Sequence, residues 1–210
     1  QANDGYFKDE AVKLLLPTEV SNSLATFKAK EINLFGLGSF TGEDIYQTGI
    51  PGFVTPLVDK EADLILGLNR AAEQAAKDAA PIFIDAITGI TIAEGNDILF
   101  GGIDTAATVY LDSKTRTELF NQYEPKIDAA LNTAQVGGKS VVEMYEEYVT
   151  KYNAILNTSV PSGIGQTKTV GELMGMTSVQ EDDLSVYSTE KGLTGLFLKV
   201  GDEERMIRTN

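Results

Sequence analysis

The stretch from Leu57 to Leu111, LVDKEADLILGLNRAAEQAAKDAAPIFIDAITGITIAEGNDILFGGIDTAATVYL, decides the fold. Its first part repeats apolar or small residues every three or four positions, the spacing of one face of an amphipathic helix. This face begins with large side chains and ends with alanines; its members are Val58, Ala62, Ile65, Leu68, Ala72, Ala75, Ala76 and Ala79. Because small side chains let a second helix approach closely, the alanine end predicts a tight helix crossing.

Helix boundaries divide the rest of this stretch. Pro81 suits the first turn of a helix, where its missing N–H is not needed. Thr91-Ile-Ala-Glu94 has the pattern of a capping box that opens another helix, with Ile98 and Leu99 on its buried side. Gly101-Gly102 ends that helix, and the next begins after it. The stretch therefore predicts four helices separated by three breaks.

The flanking sequence predicts further helices with two interruptions. A short helix over 8–16 is followed by a second from Thr18 to about Phe35. Glycine and proline make residues 39–56 an irregular loop, and Ser, Thr and Gly make 157–180 an irregular surface excursion. We therefore predict an all-α protein, a compact multi-helix bundle of about eight to ten helices forming one domain over 1–210.

Four more local signals refine this prediction. Thr115-Arg-Thr-Glu118 predicts another capping box, and Pro125 predicts a kink or a division in the helix that the box opens. Within the excursion, Thr169 and Glu172 predict the cap of a short helix. Three glycines near the end predict either close packing or an interrupted helix; they are Gly192, Gly195 and Gly201.

Composition excludes several classes of function. Lys and Arg total 17 and Asp and Glu total 31, so the formal charge is −14, which argues against nucleic acid or an anionic membrane as the main partner. The chain has no Cys and no His, which removes thiol chemistry, the usual neutral-pH base and the commonest zinc ligand. No apolar run reaches about 18 residues, so no transmembrane segment is predicted. The sequence predicts no metal site and no cofactor. No residue is assigned a catalytic role, and the carboxylates of the alternative function below are candidates only.

Several motifs, in one order along the chain, resemble the bacterial domain-of-unknown-function family DUF4197. The resemblance implies a helical, exported protein with no known reaction. It therefore implies an extracytoplasmic location in the periplasm or cell envelope, and Gln1 fits an export signal that has been removed. The matching motifs are Gly5-Tyr-Phe-Lys-Asp-Glu-Ala11, Asn69-Arg-Ala-Ala-Glu73, Ala80-Pro-Ile-Phe-Ile-Asp-Ala-Ile87, Gly101-Gly102, Asp104-Thr-Ala-Ala-Thr108, Tyr110, Tyr152-Asn153, Ser188 to Phe197, Glu203-Glu204 and Ile207-Arg208.

The sharpest polar cluster is Asn69, Arg70 and Glu73, midway along the first central helix. Asn69 and Glu73 are four residues apart and share a side of that helix. One interpretation is that the cluster meets other polar residues in a cleft and binds a polar ligand; the candidates are Asp104, Thr105 and Glu190. The other is that Arg70 pairs with a carboxylate and fixes the helix register, and we favour this second interpretation.

The Gly-rich turn before Asp104 and Thr105 precedes a helix N-terminus. Such an end can hold an anion through its N–H groups. A cap by Asp104 or Thr105 explains the same pattern, and neither the lysine nor the spacing of a phosphate loop is present.

Tyrosines on helical stretches suggest a different kind of site. Tyr110 and several others pack at the core edge or line an apolar cavity between helices. The full set is Tyr110, Tyr123, Tyr145, Tyr148, Tyr152 and Tyr187.

Two functions remain open. The first is a non-enzymatic envelope protein that holds an apolar or amphipathic ligand between helices or contacts an envelope protein. The alternative is a hydrolase that uses carboxylates alone; its candidates are Asp85, Glu94, Asp97 and Asp104. The absence of His and Cys favours the first.

Overall fold

The computed structural model describes residues 5–57, 61–76, 80–100, 102–133, 138–180 and 182–209. Within these ranges the chain is mostly helical, with ten helices and two small two-stranded sheets. The helices are α1 Gly5–Lys8, α2 Thr18–Lys28, α3 Gly42–Thr48, α4 Glu61–Ala76, α5 Ala80–Thr88, α6 Ile92–Phe100, α7 Ala106–Thr133, α8 Val141–Asn157, α9 Val170–Met174 and α10 Leu184–Thr209. The strands are β1 Glu31–Leu34, β2 Gly38–Thr41, β3 Ser159–Gly163 and β4 Gln166–Thr169.

The chain divides into two compact units. Unit 1 comprises Gln1–Leu14, Leu66–Ala134 and Asp183–Asn210, and unit 2 comprises Leu15–Ile65 and Gln135–Asp182. Both units are discontinuous in sequence, and the division falls inside α4. The single domain over 1–210 stays a prediction.

Unit 1 is built around the pairing of α7 with α10. Both helices bury small or hydroxyl-bearing residues where they meet, which lets their backbones approach closely. The small or hydroxyl-bearing residues that these helices bury include Thr108, Thr115, Ser185, Ser188, Thr189 and Gly201. A Cβ placed on Gly201 would lie 3.6 Å from the methyl carbon of Thr108. The helix α10 continues through its glycines, so close packing and not interruption explains them.

The alanine end of α4 packs as its sequence predicts. Ala71, Ala72 and Ala75 are buried, and a Cβ placed on Gly192 of α10 would lie 3.5 Å from the Cβ of Ala72. Ala72 and Gly192 therefore mark a close approach of α4 and α10 within unit 1, as the alanine face predicts. Ala62, which was predicted on the same face, is exposed, and Val58 and Ala79 lie outside the described residues.

Unit 2 combines helices with two antiparallel hairpins. In the first, Ile32 pairs with Phe40, and in the second Val160 pairs with Lys168. Three tyrosines of α8 form much of the core; they are Tyr145, Tyr148 and Tyr152. The ring of Tyr152 meets that of Phe27 edge-on, with 5.6 Å between the ring centroids.

Three segments of unit 2 have a different secondary structure from the one predicted, because they contain the hairpins. The helix predicted to reach Phe35 ends at Lys28, because β1 alternates exposed and buried residues with the period of a strand. The predicted loop over 39–56 contains part of β2 and α3, which begins with a capping box between Thr41 and Asp44. The predicted irregular excursion over 157–180 contains β3, β4 and α9, and its Thr169–Glu172 capping box is confirmed.

Two helix boundaries in unit 1 also differ from the prediction. Thr115 does not cap a helix, because α7 has already begun at Ala106, and the Thr115 hydroxyl donates to the Leu111 carbonyl at 2.7 Å. The same helix runs through Pro125 without division, so of the two outcomes predicted there only the kink stays a prediction. The helix predicted over 8–16 is also wrong, since only Gly5–Lys8 is helical there.

Candidate functional site

An apolar cleft of about 620 Å³ lies in unit 1 between α6, the first turn of α7 and the last turns of α10. This volume is within the usual range of small-molecule sites. Leu99 and Ile207 are 64% and 76% exposed there. The lining residues are Ile98, Leu99, Ala107, Thr108, Lys199, Val200, Glu203, Glu204, Ile207 and Arg208.

Glu204 of α10 occupies the N-terminus of α7. Its carboxylate accepts hydrogen bonds from the Ala107 N–H at 2.9 Å, the Thr108 N–H at 2.7 Å and the Thr108 hydroxyl at 2.8 Å. The predicted anion position before α7 is therefore filled by a side chain of the same protein. Burial tends to raise the pKa of Glu204, but these bonds and Arg208 outweigh burial and lower it.

The cationic groups beside the cleft are paired with carboxylates. Arg208 donates to Glu204 at 2.9 Å and to the Ile98 carbonyl at 2.7 Å, which ties α10 to α6. Lys199 pairs with Asp9, and this hydrogen bond raises the pKa of the lysine. The cleft therefore offers apolar side chains beside cationic groups that already have partners within the chain.

A second, more polar cleft of about 480 Å³ lies between α5, α6 and α7. Asp85, Glu94 and Glu118 line it together with Tyr110 and Lys114. Hydrogen bonds from the backbone and hydroxyl of Thr91, and then from Lys114 at 3.0 Å, lower the pKa of Glu94 to about 2. The Thr91–Glu94 capping box is thereby confirmed, and its carboxylate is held in the ionised form.

Asn69 and Arg70 occupy opposite environments although they are adjacent. Asn69 is fully buried; its side chain accepts from the Leu14 N–H and donates to the Leu14 carbonyl, both at 2.8 Å. Arg70 is exposed. Asn69 therefore holds the N-terminal segment of unit 1 to α4. This bonding replaces helical hydrogen bonds at Leu14, which explains why the helix predicted over 8–16 does not form.

Each of the remaining predicted site residues lies in a different local environment. Glu73, half-buried, contributes after burial to raising the pKa of Tyr6 to about 12. Asp104 pairs with Arg205 at 3.5 Å, Thr105 is half-buried, and Glu190 is exposed on α10. Their grouping with Asn69 and Arg70 into one ligand site stays a prediction.

Two of the cleft residues lie in a different environment from the one that the sequence predicts. Ile98 and Leu99 were expected on the buried side of α6, yet this helix buries none of its described residues. The sequence did indicate that some of these residues would be exposed, because apolar residues lie on more than one side of this nine-residue helix. They are Ile92, Ile98, Leu99 and Phe100. Residues on so many sides cannot all face one neighbour.

Within the described residues, no helix is both long enough and apolar enough to cross a membrane. A family model described as "Protein of unknown function (DUF4197)" matches residues 55–210. Searches among curated proteins and among solved structures returned no match. The family match includes α4 to α10 and thus the whole lining of the apolar cleft.

Proposed function

Because the chain belongs to the family described as a protein of unknown function (DUF4197), we propose a function from its own geometry. We propose a non-enzymatic binding protein whose cleft between α6 and α10 holds the apolar chain of an amphipathic ligand. The observation that carries this proposal is the concave grouping of four aliphatic side chains, the exposed Leu99 and Ile207 and the half-buried Ile98 and Val200.

Burial of these side chains supplies the driving force for binding. Covering one exposed leucine or isoleucine releases about 1.5–3 kcal/mol, and Leu99 and Ile207 are 64% and 76% exposed. An apolar chain in the cleft would leave the hydrogen bonds of Glu204 and Arg208 in place, since both groups already have partners in the protein. Binding therefore does not require either of these two charged groups to lose its partner.

The carboxylate-dependent hydrolase receives less support. Its general acid would need a raised pKa to remain protonated near neutral pH. In the described part of the chain, the carboxyl groups with a clearly shifted pKa are all shifted downward; they are Asp9, Asp44, Glu94, Glu143, Asp183 and Glu204. We therefore prefer the binding proposal.

Isothermal titration with dodecyl maltoside, kept below its micelle-forming concentration, tests this function. The wild type should bind one molecule, and Leu99→Asp should abolish binding because it places a charge in the cleft. Ile92→Asp is the matched control, since Ile92 lies on the same helix, is 87% exposed and does not line the cleft. Equal loss of binding in both variants, or no binding to the wild type, would overturn the proposal.

We also propose that the protein acts outside the cytoplasm, as its resemblance to exported proteins implies. The lack of Cys is compatible with this location, because folding then needs no particular redox conditions. Fractionation of cells that express the product of the whole gene checks this. Recovery with periplasmic or envelope markers is expected, and recovery with cytoplasmic markers would contradict the proposal.

A further inference from the structure

The charges around the apolar cleft are unequal in number. Three cationic residues lie on this part of α10, and each already pairs with a carboxylate of the chain. Arg208 pairs with Glu204 at 2.8 Å, Arg205 pairs with Asp202 at 2.9 Å, and Lys199 pairs with Asp9. Arg205 also lies 3.5 Å from Asp104.

Two exposed carboxylates remain beyond these pairs. Glu203 lines the cleft, and Asp97 directly precedes the lining residue Ile98. Neither takes part in an ion pair within the described residues. Among the charged residues that line the cleft, Lys199 and Arg208 face Glu203 and Glu204. Lys199 pairs with Asp9, which does not line the cleft, so these two cations meet three carboxylates and the local charge is 2 − 3 = −1. The charge of −14 on the whole chain adds an attractive field for cations.

An anionic head group would meet unfavourable conditions at this cleft. Glu203 and Asp97 would repel it, and the nearest guanidinium, that of Arg208, is already held by Glu204 and the Ile98 carbonyl. The positive charge of Arg208 is already offset by Glu204, so Arg208 adds little attraction for an anion. A cationic head group meets Glu203 without disturbing any existing pair.

We propose that the ligand is a cationic amphiphile, a single apolar chain carrying an ammonium or guanidinium group. The chain contacts Ile98, Leu99 and Val200, and the cation lies near the carboxylate of Glu203. This inference rests on the proposed function, because it names the head group of the ligand held in the same cleft. It follows from charge complementarity between the rim of the cleft and its occupant.

The preference for a cationic head group over a neutral one should be small, because both carboxylates are exposed to solvent. Exposed ion pairs support roughly a two- to fivefold preference in affinity. Salt screens them, so the preference should shrink as ionic strength rises. Binding of the apolar chain itself should change little with salt.

Three probes with the same twelve-carbon tail separate the head group from the chain: dodecyltrimethylammonium, dodecyl maltoside and laurate. Titration calorimetry below the micelle-forming concentrations should give the tightest binding for the cation and the weakest for the anion. The variant Asp97→Asn with Glu203→Gln should bring the cation to the affinity of the maltoside and leave the maltoside unchanged. Glu190→Gln is the control, since it removes an exposed charge from α10 outside the cleft.

The outcomes distinguish the two proposals. Binding of the maltoside with equal or weaker binding of the cation overturns this inference and leaves the proposed function standing. Loss of the cation preference in Glu190→Gln to the same extent would show a general charge effect and would also overturn it. Failure of all three probes to bind overturns the proposed function and this inference together.

Discussion

The carboxylate of Glu204 accepts both the main-chain N–H and the hydroxyl of Thr108, at 2.7 and 2.8 Å. Thr108 lies in the first turn of α7, where N–H groups have no partner within the helix. A residue near the end of α10 therefore caps the beginning of α7. The same carboxylate binds Arg208, which reaches α6, so one side chain links the three helices that line the apolar cleft.

We expect Glu204→Gln to lower the free energy of unfolding by about 1–2 kcal/mol. A glutamine side chain keeps the size but loses the charge that favours the positive end of the helix and the bond to Arg208. Chemical denaturation at neutral pH measures the change. Glu203→Gln is the neighbouring control and should cost less than about 0.5 kcal/mol, because Glu203 is exposed.

The pH dependence of stability provides a second readout for Glu204. Its pKa is lower in the folded protein than the ordinary value of 4.5. Its contribution is therefore present above that value and is lost as the pH falls through the folded pKa. The stability difference between the wild type and Glu204→Gln should shrink in acid. A difference that stays constant down to acidic pH would contradict the assignment of Glu204 as an ionised cap.

We expect Asn69→Ala to cost about 2–4 kcal/mol, because it leaves the buried N–H and C=O of Leu14 without the partners that Asn69 supplies. Arg70→Ala is the control on the next residue. Arg70 is exposed, so its removal should cost no more than about 1 kcal/mol. The interpretation in which Arg70 fixes the helix register stays a prediction, and a larger loss in Arg70→Ala than in Asn69→Ala would support it.

Two glycines of α10 should respond oppositely to alanine. A Cβ on Gly195 would lie 3.1 Å from both the Tyr6 ring and the Cβ of Val12, closer than normal contact, whereas one on Gly201 has its nearest neighbours at 3.6 Å. Gly201→Ala should therefore gain up to about 1 kcal/mol from helix propensity. Gly195→Ala should lose stability through overpacking. Thermal unfolding of the two variants gives the order, and a more stable Gly195→Ala would contradict the close packing of α1 and α10.

Alkaline titration should reveal the buried tyrosines. Burial, followed by nearby Glu73, raises the pKa of Tyr6 to about 12, and burial is also the main cause of the raised pKa of Tyr46, Tyr148 and Tyr152. These groups favour folding below the ordinary tyrosine pKa of 10.0, and this stability is lost as the pH rises above it. Phenolate absorbance should therefore rise in two phases, the second together with unfolding. Ionisation of all eight tyrosines in one phase near their ordinary pKa would contradict this prediction.

The sequence predicted the helices of the central stretch because their signals are local. The Thr91–Glu94 box, the Thr169–Glu172 box and the alanine face of α4 depend on residues within a few turns of each other. The same motif failed at Thr115, because a capping pattern does not show whether a helix has already begun. The β1–β2 hairpin was missed because each strand has only four residues, too few for a clear alternation.

The candidate site could not be predicted in the same way. Glu204 and Thr108 are 96 residues apart, and their contact depends on how α10 packs on α7. The hydrogen bonds of Asn69 could not be predicted either, because their partner, Leu14, is 55 residues away. The cleft could be predicted only if the exposure of Leu99 were known. The spacing of apolar residues in a nine-residue helix does not determine which of them are exposed.

Methyl NMR of the protein with dodecyltrimethylammonium tests most directly whether the cleft is the binding site. The structure predicts intermolecular contacts between the alkyl chain and the methyl groups of Ile98, Leu99, Val200 and Ile207, which line the cleft. Ile164, 88% exposed on a hairpin turn, should show none and serves as the internal control. Contacts spread equally over Ile164 and the cleft methyl groups, or no contact at the cleft, would contradict the proposed function.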